Sequence, residues 1–388
     1  MRLLETSMPI DSAFKTEIKH ISILDENGNF DQKLGENLIP NDDLVALYKH
    51  LLLCRHFDEI AFKLQRSGRM GTYPENRGQE VASLGVAYTL KKKDWMVPCY
   101  RENAGLFWHG LPMEMILLHW MGDERGNKIP SNVSCLPIAI PIGTQMLHAA
   151  GLAWAEKIKK TGGIAATFFG DGATSEGDFH EAANFSANLN LPVVFVCQNN
   201  FWAISVPTKI QCSAPTIAQR GIAYGMNCIQ VDGNDLFAVV YASKIATELA
   251  RKENKPTFIE AITYRLGDHT TADDARRYRD SKEVSVWEKR DPLIRLKKYM
   301  IENKIWDEDK ERISKEQNEK EIIEVVKKAE NILEPTTDDF FDNMYKNITP
   351  DLLSQKKTMR TSSLGQSEDV YTNKTNSNQV KIGHKGSE

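Results

Sequence analysis

Gly170-Asp171-Gly172 and Asn199-Asn200 are the residues whose types and spacing point most directly to chemistry. A carboxylate and a carboxamide oxygen are hard ligands of the kind magnesium takes in octahedral geometry, with phosphate oxygens and water completing the shell. Their separation, about 30 residues, is that of one βαβ unit, whose right-handed crossover returns both strand ends to one edge of a parallel sheet. Taken alone, Gly-Asp-Gly reads as a helix cap and Asn200 as a left-handed turn residue. The pair at this spacing favours a site for a magnesium diphosphate, with a helix amino terminus between the two ligands. Gly170 and Gly172 let the backbone approach such a ligand closely.

The elements that must hold these residues can be read from the pattern around them. Ile164 to Phe169 is an apolar run between Gly162-Gly163 and Gly170, as expected of a buried parallel strand. From Gly177 onward, Phe179, Ala182, Ala183, Phe185, Ser186 and Leu189 share one side of a helix; Asp178, Glu181, Asn184 and Asn188 share the other. Pro192 opens a second strand, Val193 to Cys197, rich in branched residues. Competing motifs fail on inspection. No Gly-x-Gly-x-x-Gly follows a strand, Asp178 stands where a P-loop needs Lys, and Asn184 stands where the His180-Glu181 pair would need a second zinc histidine.

Gly170-Asp171-Gly172 followed by Asn199-Asn200 matches the thiamine-diphosphate signature, and the wider chain resembles the alpha subunit of the thiamine-dependent 2-oxo acid dehydrogenases. The resemblance runs from about Asp42 to Tyr345 through YPENRGQE (Tyr73 to Glu80), VPCYRE (Val97 to Glu102), WHGLP (Trp108 to Pro112), PIGTQMLHAAG (Pro141 to Gly151) and Tyr264 to Arg279. It implies thiamine diphosphate and Mg2+ as cofactors. Asp171, Asn200 and the backbone carbonyl of Trp202 would be metal ligands, and Gly170, Gly172, Ala173 and Arg101 would lie at the diphosphate. Tyr100 would sit near the cofactor ring and the backbone of Ile142 at the aminopyrimidine. His269, in a polar loop after an apolar strand, matches a catalytic histidine that touches the diphosphate and assists proton movement. Asp273 to Arg279 matches a loop that orders around bound cofactor.

The same resemblance implies oxidative decarboxylation of a 2-oxo acid and acyl transfer to lipoyl-lysine on an acyltransferase component. WHGLP and GNKIPSNVSCLP (Gly126 to Pro137) look closer to pyruvate-using bacterial members; NFWAIS (Asn200 to Ser205) and GDGATS (Gly170 to Ser175) are similar to branched-chain members too, and acetoin is a further alternative. The glutamate that faces the aminopyrimidine belongs to a beta subunit in this family, so an inactive lone chain and an alpha2-beta2 heterotetramer are expected. Pro141, Thr144 and Gln145 match a potassium turn of branched-chain enzymes, but Ala139 replaces its serine, so an ordinary strand-to-helix turn is the better reading. Thr270 and Thr271 stand where mitochondrial relatives carry a phosphorylated serine; a loop hydroxyl does not imply a kinase partner. The rival from another class is a non-catalytic scaffold of the same fold, against which the intact Arg101, Asp171, Asn200 and His269 argue.

Composition sets the frame. The 388 residues, 41% hydrophobic, can build one large α/β core or two smaller ones. A net charge of -4 gives no reason to invoke nucleic acid or an anionic membrane. No apolar run reaches membrane-spanning length and no leader pattern opens at Met1, so a cytoplasmic protein is expected. Cys54, Cys99, Cys135, Cys197, Cys212 and Cys228 form no Cys-x-x-Cys pair and are expected to be reduced.

Strand and helix signals alternate through Gln145 to Lys159, the Gly163 to Asn200 unit, Cys228 to Val231, Asp235 to Asn254 and Thr257 to Thr263. They predict a doubly wound parallel sheet with helices on both faces, in an α/β domain spanning 41–347. Asn41 or Asp42 is expected to cap its first helix, and Asp291-Pro292 to open a later one. Residues 1–40 read as an arm that packs on a partner, and the polar stretch 348–388 as a disordered tail.

Overall fold

The computed structural model describes residues 12–333, 336–342 and 344–364. Its centre is a six-stranded, wholly parallel sheet in the order β1-β7-β8-β4-β3-β2. The strands are β1 (His20–Ile21), β2 (Trp95–Val97), β3 (Ala165–Gly170), β4 (Val193–Asn199), β7 (Asn227–Asp232) and β8 (Thr257–Ile262); β5 (Trp202–Ala203) and β6 (Val206–Pro207) form a separate small hairpin. β3 and β4 are neighbours in register from Ala165 opposite Val193 to Gly170 opposite Gln198, so Asp171 and Asn200 leave the same edge, as their spacing predicts.

Alternation along the strands fills both faces, which is why the strands read as unbroken apolar runs. Ala166, Phe168, Val194, Val196, Ile259 and Ala261 enter one buried cluster, shared with the Glu80–Thr89 and Leu236–Glu253 helices. Ala165, Phe169, Val193, Phe195, Cys197 and Phe258 enter the other, beneath the Thr144–Lys159 and Gly177–Asn188 helices. All six cysteines are free. Among the described residues no helix is long and apolar enough to cross a membrane.

The structure amends the sequence reading at both ends of the chain. Residues 20–40 lie on this chain's own domain: β1 pairs with Gln230 and Val231, and Ile23, Leu24 and Ile39 are buried. Pro350–Leu364 is a helix rather than part of a disordered tail, with Lys356 paired to Asp338 and Asp342; residues 1–11 and 365–388 lie outside the described residues. The Asn41–Arg66 helix begins on Pro40 with no side-chain cap, so neither Asn41 nor Asp42 caps it, whereas Asp291 caps the Pro292–Glu302 helix through Leu293 N–H.

Asp235 is the group that ties the N-terminal segment down. One carboxylate oxygen accepts the N–H groups of Ile23 and Leu24 at 2.6 and 2.7 Å, and the other caps the Leu236–Glu253 helix through Phe237 and Ala238 at 3.0 and 3.2 Å. Removing it strands four backbone donors, two just after β1 and two at that helix start. Asp235→Ala is expected to lower unfolding free energy by about 3 kcal/mol or more, read by denaturant titration. A loss under about 1 kcal/mol would show that this tie contributes little.

Candidate active site

Four adjacent strand ends converge on one pocket. Tyr100-Arg101 follows β2, Asp171 follows β3, Asn200 follows β4, and Arg265 with His269 follows β8. Every site residue expected from the sequence lines it: Tyr100, Arg101, Ile142, Gly170, Asp171, Gly172, Ala173, Asn200, Trp202 and His269.

On one side the pocket offers oxygens. Asp171 is 1% exposed; its Oδ2 accepts from Thr208 Oγ1 at 2.6 Å and from Gln211 Nε2, while its Oδ1 is buried without a partner. Burial pushes this carboxyl above the usual carboxylate range, against the pull of the Thr208 hydroxyl. An unpaired buried carboxylate oxygen is costly unless something positive meets it. Asn200 Oδ1 accepts from Trp202 N–H at 3.2 Å and keeps a second lone pair. Among the described residues no three His, Cys, Asp or Glu side chains gather as a metal site. One carboxylate with amide and carbonyl oxygens suits a hard cation that brings phosphate oxygens of its own, so this donor set fits magnesium held together with a diphosphate.

On the other side it offers positive charge. Arg101 is 5% exposed and donates to Glu75 O at 2.6 Å, to His269 Nδ1 at 3.1 Å and to His269 O. Arg265 is 1% exposed and also reaches His269 Nδ1 at 3.1 Å, with Ile204 O and the Tyr278 hydroxyl as further partners. Burial and the neighbouring Arg101 push Arg265 down to about 10. Two buried guanidiniums that meet at one imidazole nitrogen suit a polyanion. Because guanidinium groups only donate, His269 Nδ1 is an acceptor and its proton sits on Nε2. Burial, then Arg101 and Arg265, push that imidazole down to about 3, so it is neutral throughout the ordinary pH range. Tyr100 meets its ring edge-on at 6.3 Å and stacks beneath Arg101 at 5.4 Å.

Local geometry adds detail to these expectations. The segment after Asp171 is a short 3-10 turn, Asp171–Ser175, and the α-helix begins at Gly177, with its N-cap Glu176 lining the pocket. Gly172 is required by packing: a side-chain carbon there would meet Ala203 Cβ at 2.6 Å, whereas Gly170 faces open space. The left-handed residue is Phe201, at φ 66, and not Asn200. In the turn before the Thr144–Lys159 helix, Gly143 takes φ 97, Thr144 bonds Asp178 at 3.3 Å and Gln145 Nε2 bonds Phe168 O at 3.0 Å. The Asp273 to Arg279 segment is organised: Tyr278 bonds Asp273, and Arg279 donates to the carbonyls of Arg265, Leu266 and Gly267. Thr271 is buried and accepts from Tyr73 N–H, while Thr270 is half-buried.

Several residues in the pocket or directly behind it carried no assigned role in the sequence. Gln79 accepts from Asn200 Nδ2 at 3.0 Å, Thr208 and Gln211 hold Asp171, and Arg265 doubles the charge at His269. Glu102, pushed up to about 7 by burial, accepts from Gln198 and from Arg101 N–H. Gln79, Glu102 and Arg265 lie inside segments that carry the family resemblance, which is the signal that could have found them; Thr208 and Gln211 have none.

A parallel α/β sheet whose strand ends gather hard oxygen donors on one side and paired guanidiniums on the other defines a site that fits a diphosphate and its cation. Residues 48–338 match the family model described as "Dehydrogenase E1 component", and the chain belongs to that family. It is 42% identical over 333 residues to the "Pyruvate dehydrogenase E1 component subunit alpha" of Acholeplasma laidlawii, covering 85% of this chain and 96% of that protein. It is 40% identical over 345 residues to the protein of the same name from Staphylococcus aureus strain Mu50, covering 88% and 92%. With the Staphylococcus epidermidis protein of that name it shares 39% identity over 345 residues.

Proposed function

We propose that the chain is the alpha subunit of a thiamine-diphosphate-dependent 2-oxo acid dehydrogenase acting on pyruvate, and that it works with a beta subunit and a lipoyl acyltransferase component. The observation that carries this reading is the convergence of Asp171, Asn200, Arg101, Arg265 and His269 at neighbouring strand ends. The substrate is supported by the shared name of the relatives. Asp171, Asn200 and the Trp202 carbonyl hold magnesium; Arg101 and Arg265 bind the diphosphate, near the backbone of Gly172 and Ala173; Ile142 backs the ring. Bound there, thiamine diphosphate supplies the electron sink for decarboxylation. His269, neutral and protonated on Nε2, donates a hydrogen bond to oxygen in the pocket and helps a proton move there during acyl transfer. The assembly belongs in the cytoplasm, where free thiols stay reduced.

A partner chain is supported by an apolar band beside the pocket. Ile140 and Ile142 lead into the outer side of the Thr144–Lys159 helix, where Leu147, Trp154 and Ile158 are exposed at helical spacing, and Phe185 packs edge-on to Trp154 at 5.5 Å. A contiguous apolar surface of this kind marks an interface. Trp154→Glu combined with Ile158→Glu is expected to shift an alpha2-beta2 assembly toward free chains in analytical ultracentrifugation, with the thermal stability of the alpha chain unchanged. An unaltered assembly would remove this face from the interface.

The test of function is turnover of pyruvate, branched-chain 2-oxo acids and acetoin by the chain co-expressed with its beta subunit, with a lipoyl acceptor. Pyruvate is expected to have the highest kcat/KM. Preference for another substrate would overturn the assignment, and no turnover together with no magnesium-dependent cofactor binding would favour a scaffold.

A further inference from the structure

Asn200 can serve a cation only if its carboxamide turns oxygen toward it, yet the two ends of an amide are nearly equal in shape. Two contacts set the orientation. Trp202 N–H, which can only donate, meets Oδ1 at 3.2 Å, and Nδ2 donates to Gln79 Oε1 at 3.0 Å. Gln79 comes from a distant part of the chain, just ahead of the Glu80–Thr89 helix; it is 1% exposed and lines the pocket. Its backbone is held firmly. Gln79 N–H bonds Asn76 O at 3.0 Å, the next residue, Glu80, pairs with Arg55 at 2.6 Å, and Gly78 takes φ +95 in a turn too tight against Tyr264 O for any side chain.

We propose that Gln79 is a positioning residue of the magnesium site: its Oε1 holds the NH2 of Asn200 so that Oδ1 faces the cation beside Asp171. A carbonyl oxygen has two lone pairs, so Oδ1 accepts from Trp202 N–H and serves the metal at once. The reversed amide sets NH2 against N–H and oxygen against oxygen. Without Gln79, one 3.2 Å bond is left to prevent it. The inference rests on the reading of this pocket as a magnesium and thiamine-diphosphate site.

The test titrates thiamine diphosphate into the co-expressed alpha-beta assembly by calorimetry at a series of magnesium concentrations. Gln79→Met is expected to raise the magnesium needed for half-maximal binding about tenfold or more, the scale seen when an outer partner of a ligand is lost. Gln79→Glu keeps an oxygen acceptor, and its added charge faces a cation, so its requirement should stay near that of the wild type. In an Asn200→Asp background both terminal atoms are oxygens and there is no amide to orient; there Gln79→Met should shift the requirement less than threefold. This coupling is what a merely structural role would not produce. A wild-type requirement in Gln79→Met, equal shifts in Gln79→Met and Gln79→Glu, or an undiminished shift in the Asn200→Asp background would each overturn the proposal. Failure of the wild-type assembly to bind the cofactor in a magnesium-dependent way would instead overturn the underlying reading.

Discussion

Asp171→Asn is expected to abolish magnesium-dependent binding of thiamine diphosphate while leaving the unligated chain at least as heat-stable as the wild type. The carboxylate is buried, one oxygen is held by Thr208 and Gln211, and the other has no partner. Its folded pKa is raised by burial, so the stability this group contributes is full below the ordinary carboxylate value and is lost as pH rises through the folded one. The ionised form is therefore a strain on the unligated fold, which a cation offsets. Asn keeps the shape and the acceptor facing Thr208 but removes the charge. Loss of an outer partner costs metal affinity about 10–100-fold, and loss of the ligand's charge should cost at least a hundredfold. In thermal unfolding, saturating cofactor and magnesium should raise the Tm of the wild type and leave that of Asp171→Asn unmoved. An equal rise in both would disprove the ligand assignment; a lower Tm for the unligated variant would make Asp171 a structural residue.

Asp171 and Asn200 were legible because residue type and a βαβ interval together specify a place, the shared edge of two neighbouring strands. The adjacent Asn199 shows what such reading separates poorly. It bonds Glu260 at 2.9 Å and Phe201 N–H at 3.2 Å, as a structural amide, while the next residue along the strand exit faces the pocket. Gln211 and Thr208 were not legible: they meet Asp171 only because the β5–β6 hairpin folds back, and that hairpin has four strand residues and no periodicity. The segments 20–40 and 350–364 were misread for the same physical reason. His20–Ile21 is too short to alternate, and the Pro350–Leu364 helix has a polar sequence without an apolar stripe, held in part by Lys356 on Asp338 and Asp342. By contrast β3, β4 and β8 are buried on both faces, and unbroken apolar runs announce such strands without any knowledge of their neighbours.

His269→Ala is expected to lower turnover about a hundredfold or more with a lipoyl acceptor present, with His269→Gln falling between it and the wild type. The ring is held at Nδ1, where Arg101 and Arg265 both donate at 3.1 Å, and among the described residues Nε2–H has no bonding partner, which leaves that end to work. Gln retains a donor near that position and Ala does not. The two guanidiniums also decide what the ring can do. With burial they push it down to about 3, so in the unligated chain it gains no proton between pH 5 and 8 and acts as a neutral donor. By linkage, the stability it contributes is full above the ordinary histidine value and is lost as pH falls toward 3. Nitrogen-15 spectra of labelled histidine in the unligated chain should show this ring as the Nε2–H tautomer down to pH 5, and replacing Arg101 with Met should raise its midpoint. Titration near pH 6.5 would place Nδ1 outside the reach of both arginines. Unaltered turnover in His269→Ala would remove this residue from the chemistry, leaving it as a spacer between two cations that the diphosphate must neutralise.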